Sequence, residues 1–388
     1  MSAGIFERYR VVDIDTHVTE PADVWTARVS RKWGDRVPHV KRIGRTDAWF
    51  IGDKAVHAPG VVSAAGFDGT YPRFPRSYSE IPPAMYDAGA RLALLDAERI
   101  HANVLFPNLG GFSSPGFLSL GEPELMLECV RAYNDWILEW AGADRKRLIP
   151  VMANPFWDVG AGVREIERCA ARGFRALLMC NQPHHHGLPP LRDRHWDRLF
   201  AAAQDAGMCV NFHVGAGDTS ETDDDANRIG RKANFARAST LFFLENGHCL
   251  ADLLMGGVCH RFPRLRFVSV ESGIGWIPFL LEALDWQWQN NGVREEHPEY
   301  DLLPSEYFRR QVFGAFWFEE RGLRSALEQL PDNVLFETDY PHPTCQAPGP
   351  ASIGTHPRLY AERALAGVSE DTLRKVLQDS AARVYAIA

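Results

Sequence analysis

No stretch of the 388-residue chain reaches the roughly 18 consecutive apolar residues that span a bilayer, so insertion as a membrane helix is not expected. Blocks of Lys and Arg are missing too, and the net charge of -8 is spread along the sequence. A nucleic acid or an anionic membrane surface would find no basic footprint, and neither is expected as a partner. Residues 1–10 hold no apolar segment of signal-peptide length, which makes the cytoplasm the expected compartment. The seven cysteines form no CxxC pair and are odd in number, so buried thiols are expected rather than a disulfide framework or a thiolate metal site. No Gly-x-Gly-x-x-Gly follows a strand pattern and no P-loop is present, which argues against a nucleotide cofactor. Repeats, low-complexity tracts and long linkers are absent. What remains, with 45% hydrophobic and 24% charged residues, is ordinary globular material.

The most informative stretch is Val11-Val12-Asp13-Ile14-Asp15-Thr16-His17, an apolar and β-branched run that ends in two potential metal ligands. Side chains two apart on a strand share a face, so Asp15 and His17 could grip one ion if other strands bring partners to the same place. Three more strand patterns do end on such groups. Met208 to Gly215 ends on His213 before a Gly-rich loop, Leu265 to Gly273 ends on Glu271, and Val334 to His342 passes through Asp339.

Around these segments strands and helices alternate. Strands are expected near 11–17, 102–106, 147–153, 174–180, 208–214, 265–271, 311–317 and 333–338, with helices between them, among them 122–142, 193–206 and 239–258. The strands are apolar throughout, as in a parallel sheet covered by helices on its outer face. Eight such units favour a closed (β/α)8 TIM barrel over an open doubly wound sheet. The polar residues at strand ends then fall on the C-terminal face, where a parallel barrel builds its active site. Residues 26–83, rich in Pro, Gly and aromatics with a hairpin pattern near 48–56, read as an irregular insertion over the barrel mouth within a single domain covering 1–388.

The set VDIDTHVTEP, FHVG, ESGIGW, TDYPHP and SAARVY resembles the amidohydrolase-related family, the metal-dependent barrel group that includes aminocarboxymuconate semialdehyde decarboxylase and dihydroxybenzoate-type decarboxylases. The resemblance implies a distorted TIM barrel with one divalent ion, held by an HxH or acid-x-His pair on the first barrel strand, a His on the fifth and an Asp on the eighth. Those positions here are Asp15, His17, His213 and Asp339, a set that zinc or manganese would accept. Glu271 stands where many relatives carry a histidine on the sixth strand. Cys180 ends the fourth strand, so a carbamylated-lysine two-metal site is not expected. The implied activity is non-oxidative decarboxylation of a small aromatic or unsaturated carboxylic acid. The alternative is hydrolysis of a C–C, C–N or C–O bond by metal-activated water, and a lesser one is a barrel that binds without turnover. Small-molecule substrate and a homodimer are the expected partners.

Several residues carry two readings. Asp339 is a ligand, a general base or a cap for the next turn; Glu271 is a proton-handling or metal-proximal acid, or an acceptor for the amides of its own Gly273 turn. His342 is a substrate contact with a catalytic part, or a hydrogen-bonding group within its Pro-His-Pro turn. The run His184-His185-His186 is expected to be a solvated loop. Trp25, Phe67, Tyr71, Phe74 and Tyr86 line a pocket for a planar substrate or pack as a lid, while Arg309 and Arg310 meet a substrate carboxylate or flank a strand at the surface.

Overall fold

A computed structural model of the chain describes residues 4–69, 73–109, 118, 120–215, 229–343, 345–347 and 354–387. β1 (Val12–Val18) begins the fold and is buried along its whole length. β2 (His39–Ile43), β3 (Thr46–Ile51) and β4 (Lys54–Ala55) form a small antiparallel sheet, where a single hairpin was expected. Short 3-10 turns follow it, up to Pro83–Met85. The remaining strands are β5 (Ala102–Pro107), β6 (Leu148–Ala153), β7 (Ala176–Met179), β8 (Cys209–His213), β9 (Phe267–Val270), β10 (Val312–Phe316) and β11 (Val334–Phe336).

β1 and β5 to β11 lie side by side in chain order, every pair parallel, with helices between successive strands: this is the (β/α)8 barrel. Between β11 and β1 the ring closes without a full ladder. There the His17 amide donates to the Tyr340 carbonyl at 2.6 Å and the Asp339 amide to the Asp15 carbonyl at 3.0 Å.

The continuous apolar character of the strands has a physical cause in two separate cores. One fills the barrel with residues such as Ile14, Val104, Val151, Val268 and Leu335, and the other lies between the outer strand faces and the helices. The final helix Ser380–Tyr385 covers the N-terminal end of the barrel, and its buried Tyr385 hydroxyl donates to Asn211 Oδ1 at 2.7 Å.

Element boundaries differ from the sequence expectation where local turns compete. The helix expected at 239–258 runs instead over Arg231–Met255, and the one expected at 193–206 is split into a 3-10 turn, Arg194–Trp196, and a helix, Asp197–Asp205. The last strand stops at Phe336, since Thr338 turns its amide and hydroxyl to Asp13 rather than to a ladder. Among the described residues no helix is long and apolar enough to cross a membrane, and all seven cysteines are buried with none in a disulfide.

Candidate metal centre

The first strand places its two donors by breaking its own alternation. Val12 pairs with Ala102 and Asp13 with Asn103, but the next partners are Thr16 with Leu105 and His17 with Phe106, so the strand holds an extra residue between them. A bulge of this kind reverses the facing of everything beyond it. Asp15 and His17 therefore look into the barrel, while Asp13 looks outward and is taken up by Thr338 and Asn103.

Four strand ends, those of β1, β8, β9 and β11, bring their donors to one place at the C-terminal mouth. His17 Nε2 lies 3.5 Å from Asp15 Oδ1, 3.7 Å from Asp339 Oδ1 and 3.2 Å from His213 Nε2. His213 Nε2 lies 3.5 Å from Asp15 Oδ1 and 3.4 Å from Glu271 Oε2. His342 stacks on His17 with centroids 3.9 Å apart and brings Nδ1 to 2.6 Å from Asp339 Oδ1. Two overlapping sets of donor atoms fall within 4.8 Å of one another: Asp15, His17, His213 and Glu271, and then His17, Glu271, Asp339 and His342. Glu271 and His17 belong to both.

The donor chemistry fits one divalent cation. His17 Nδ1 faces the Pro107 carbonyl at 3.0 Å and His213 Nδ1 faces the Val214 carbonyl at 2.9 Å. A carbonyl only accepts, so each Nδ1 carries a proton, and each ring in its neutral form aims an Nε2 lone pair at the same point, the arrangement of metal-ligating imidazoles. Both oxygens of the fully buried Asp15 carboxylate make no hydrogen bond. A buried carboxylate left so is costly unless a cation meets it.

The carboxylates around His213 likewise draw positive charge to this point. Burial works against a charged His213, but Asp15 and Glu271 outweigh it and push the imidazolium up to about 10. Burial, then His342 and His213, hold His17 well below its ordinary value, and burial takes His342 down to about 4. Burial and the neighbouring Asp339 hold Glu271 well above the usual carboxylate range. Glu337, which points into the barrel beneath the cluster and accepts the Glu271 amide at 3.2 Å, is raised likewise by burial and Asp15.

Backbone strain marks two of these positions. Glu271 and Asp339 have φ of 52° and 59°, left-handed conformations that a residue with a Cβ rarely adopts. The Gly273 turn does not use Glu271 as its acceptor. Its Ile274 and Gly275 amides donate to Glu319 Oε1 at 2.7 and 2.9 Å, which leaves the Glu271 carboxylate directed at His213.

Other sequence candidates lie elsewhere. Arg309 and Arg310 sit in the helix Pro304–Gln311, at the opposite end of the barrel, where Arg310 donates to the Cys259 carbonyl at 2.6 Å and Arg309 to Ser305 Oγ at 3.1 Å. A substrate at the mouth is out of their reach. His184 and His185 are exposed on a 3-10 turn away from the donor cluster. Trp25 is fully buried against Trp49 and donates to the Cys129 carbonyl, a packing role; Phe67 and Phe74 are half-buried, Tyr86 is exposed, and Tyr71 lies outside the described residues.

Glu319, Glu337 and Arg91 are not singled out by any motif or spacing along the chain. The fully buried Arg91 guanidinium donates to the His17 carbonyl and the Ala84 carbonyl, both at 2.7 Å, and lies over the Tyr340 ring. Its only visible signal was an arginine on the inner side of an amphipathic helix.

A family model described as Amidohydrolase matches residues 113–387. The chain belongs to the amidohydrolase family. No curated protein matches it. Among solved structures, this amidohydrolase is similar to an amidohydrolase from Mycobacterium avium subsp. paratuberculosis K-10, at 25% identity and a TM-score of 0.76 over 97% of this chain and 99% of that one. It shares its fold with 5-carboxyvanillate decarboxylase from Sphingomonas paucimobilis, at 22% identity and a TM-score of 0.66 over 98% and 99% of the two chains. A third likeness is to dihydroxybenzoic acid decarboxylase from Polaromonas sp. JS666, solved with bound manganese and 2-nitroresorcinol, at 15% identity and a TM-score of 0.64 over 98% and 97%.

Proposed function

We propose that this amidohydrolase is a metal-dependent, non-oxidative decarboxylase of a small aromatic or unsaturated carboxylic acid. The observation that carries the metal reading is the convergence of buried donors on the Asp15 carboxylate, whose oxygens accept no hydrogen bond. Asp15, His17, His213 and Asp339 would hold the ion, with Mn2+ or Zn2+ as the candidates. When bound, it would supply a Lewis acid for the substrate carboxylate and an oxygen beside it. Decarboxylation ranks ahead of hydrolysis because two of the structural neighbours are named for that reaction on aromatic acids. The Phe106 ring, 5.2 Å from His213 and 6.1 Å from His17, offers an apolar wall for such a ring.

Glu271 is the proton donor in this scheme. Its carboxyl, raised well above the usual carboxylate range by burial and Asp339, gives a proton to the substrate carbon that bears the carboxylate. The bond to the carboxyl carbon then breaks, its electron pair returns to the ring, and CO2 leaves; a proton from water restores Glu271. His342 holds Asp339 in place through its 2.6 Å contact, and Asn108 Oδ1 lies 3.0 Å from the other nitrogen of that ring. In the hydrolytic reading the same Glu271 or Asp339 takes a proton from water.

Residues 26–83 act as a lid within one domain. The Ala64 and Ala65 amides both donate to the Pro341 carbonyl, and Ser63 Oγ meets Thr19 Oγ1 at 2.7 Å. A homodimer fits the exposed Phe279 and Trp286 on the helix Ile277–Asn290, and the cytoplasm fits seven buried thiols.

The test is to load purified protein with Mn2+ and incubate it in D2O with 5-carboxyvanillate, dihydroxybenzoates and related hydroxylated aromatic acids. CO2 release with deuterium at the vacated carbon is expected. Fully loaded protein that releases no CO2 from any of them, yet hydrolyses an amide or ester, would replace this reading with the hydrolytic one.

A further inference from the structure

Asn246 lies in the helix Arg231–Met255 with none of its surface exposed, between that helix and the outer faces of β8 and β9. Its side chain is fully committed. Nδ2 donates to the Phe212 carbonyl and to Ser269 Oγ, both at 2.9 Å, and Oδ1 accepts from Asn181 Nδ2 at 2.9 Å. Ser269 Oγ then meets Ser272 Oγ at 2.6 Å, and the Ser272 carbonyl accepts from Trp276 Nε1 at 2.7 Å.

The partners matter more than their number. Phe212 immediately precedes His213, while Ser269 and Ser272 bracket Glu271, and Phe212 pairs with Ser269 in the β8–β9 ladder. One amide thus grips the two strand ends that bring His213 Nε2 and Glu271 Oε2 to 3.4 Å. Leu250 and Leu253 show that the same helix face also packs with apolar side chains. A buried amide there costs free energy unless its hydrogen bonds are met, and both of its donor bonds go to groups that flank the site.

We infer that Asn246 is a positioning residue that sets the spacing of His213 and Glu271 through Phe212 and the Ser269–Ser272 pair. The inference rests on the metal centre proposed above. A built-in control exists at the other end of the barrel. Asn333 is equally buried, and its Nδ2 donates to the carbonyls of Phe308, Arg309 and Val312, none of which adjoins a donor of the cluster.

The experiment compares Asn246→Ala with Asn333→Ala in the whole protein, measuring the Mn2+ dissociation constant by titration calorimetry and the thermal unfolding midpoint. Both variants should unfold earlier. Only Asn246→Ala should weaken Mn2+ binding, by about tenfold or more, the size seen when groups that orient metal ligands are removed. Ser269→Ala, a smaller change, should weaken it in the same direction and carries the test if Asn246→Ala does not fold. Wild-type affinity in Asn246→Ala or, failing that, in Ser269→Ala overturns the inference, as does an equal loss in Asn333→Ala. Absence of Mn2+ binding by the wild-type protein overturns the metal reading and this inference with it.

Discussion

At the N-terminal end of the barrel the buried polar side chains are spent on backbone. Gln311 Nε2 donates to the Phe262 and Leu265 carbonyls, both at 2.9 Å, and Asn333 bridges three more. At the C-terminal mouth the same degree of burial surrounds carboxylates that lack hydrogen bonds, such as Asp15, and residues at positive φ, Glu271 and Asp339. Both ends are equally dry. The difference lies in what the polar groups face, backbone carbonyls at the N-terminal end and one another's carboxylates and imidazoles at the mouth, and it teaches that burial alone does not tell a structural polar group from one placed for chemistry.

The comparison breaks most sharply if the mouth is emptied of donors. A His17→Ala, His213→Ala double variant should lose bound Mn2+ or Zn2+ altogether, and chelation of the wild-type protein should abolish turnover until either metal is returned. Full metal content in the double variant, measured by elemental analysis, would refute the ligand assignment.

Next in size is Glu271→Gln, expected to cut kcat about a hundredfold to ten-thousandfold while metal content stays whole. Normal turnover would move the proton chemistry to Asp339 alone. Loss of the ion instead would make Glu271 a ligand, as its place in both donor sets allows.

At the opposite end, Asn333→Ala should cost about 1–3 kcal/mol of stability by leaving buried carbonyls unmet, with kcat and metal content unchanged. Denaturant titration beside an activity assay checks both halves, and a kcat effect would blur the division between the two ends.

Per pH unit, the smallest expected effect is a slope at Glu20, just beyond β1, which burial raises to about 7 although it accepts from the Asn108 and Leu109 amides. Between an unfolded pKa of about 4.3 and that value, the folded chain binds a proton there that the unfolded chain has lost. Stability therefore falls as pH rises through this window, by at most about 1.4 kcal/mol per unit for one proton. Glu20→Gln should flatten that part of the stability curve, and an unchanged slope would remove Glu20 from it.

Much of this was legible in the chain. Apolar runs of strand length alternating with helical patterns pointed to a barrel, because a sheet buried on both faces needs apolar residues at every position. Asp15, His17, His213, Glu271 and Asp339 stood out because each closes or follows such a run. Arg309 and Arg310 carried two readings and prove to flank a strand at the surface; the choice was open because a residue beside a strand reads alike at either end until the chain direction through the barrel is fixed. Glu319 and Asn246 were invisible, since their partners lie far away in sequence, and Arg91 showed only as a charge on the inner side of a helix.

What the sequence determined by itself was therefore local and periodic: which segments are strands, which residues close them, and that no basic patch or long apolar span is present. The tertiary structure decided the rest. The bulge in β1 turned Asp13 away and left Asp15 beside His17, because it answers to the ladder with β5 and not to the alternation of its own residues. Glu319, contributed from beyond β10, took over the amides of the Gly273 turn and so freed Glu271 to face His213. Partners of this kind are set by the closing of the ring, which brings together side chains that no spacing along the chain relates.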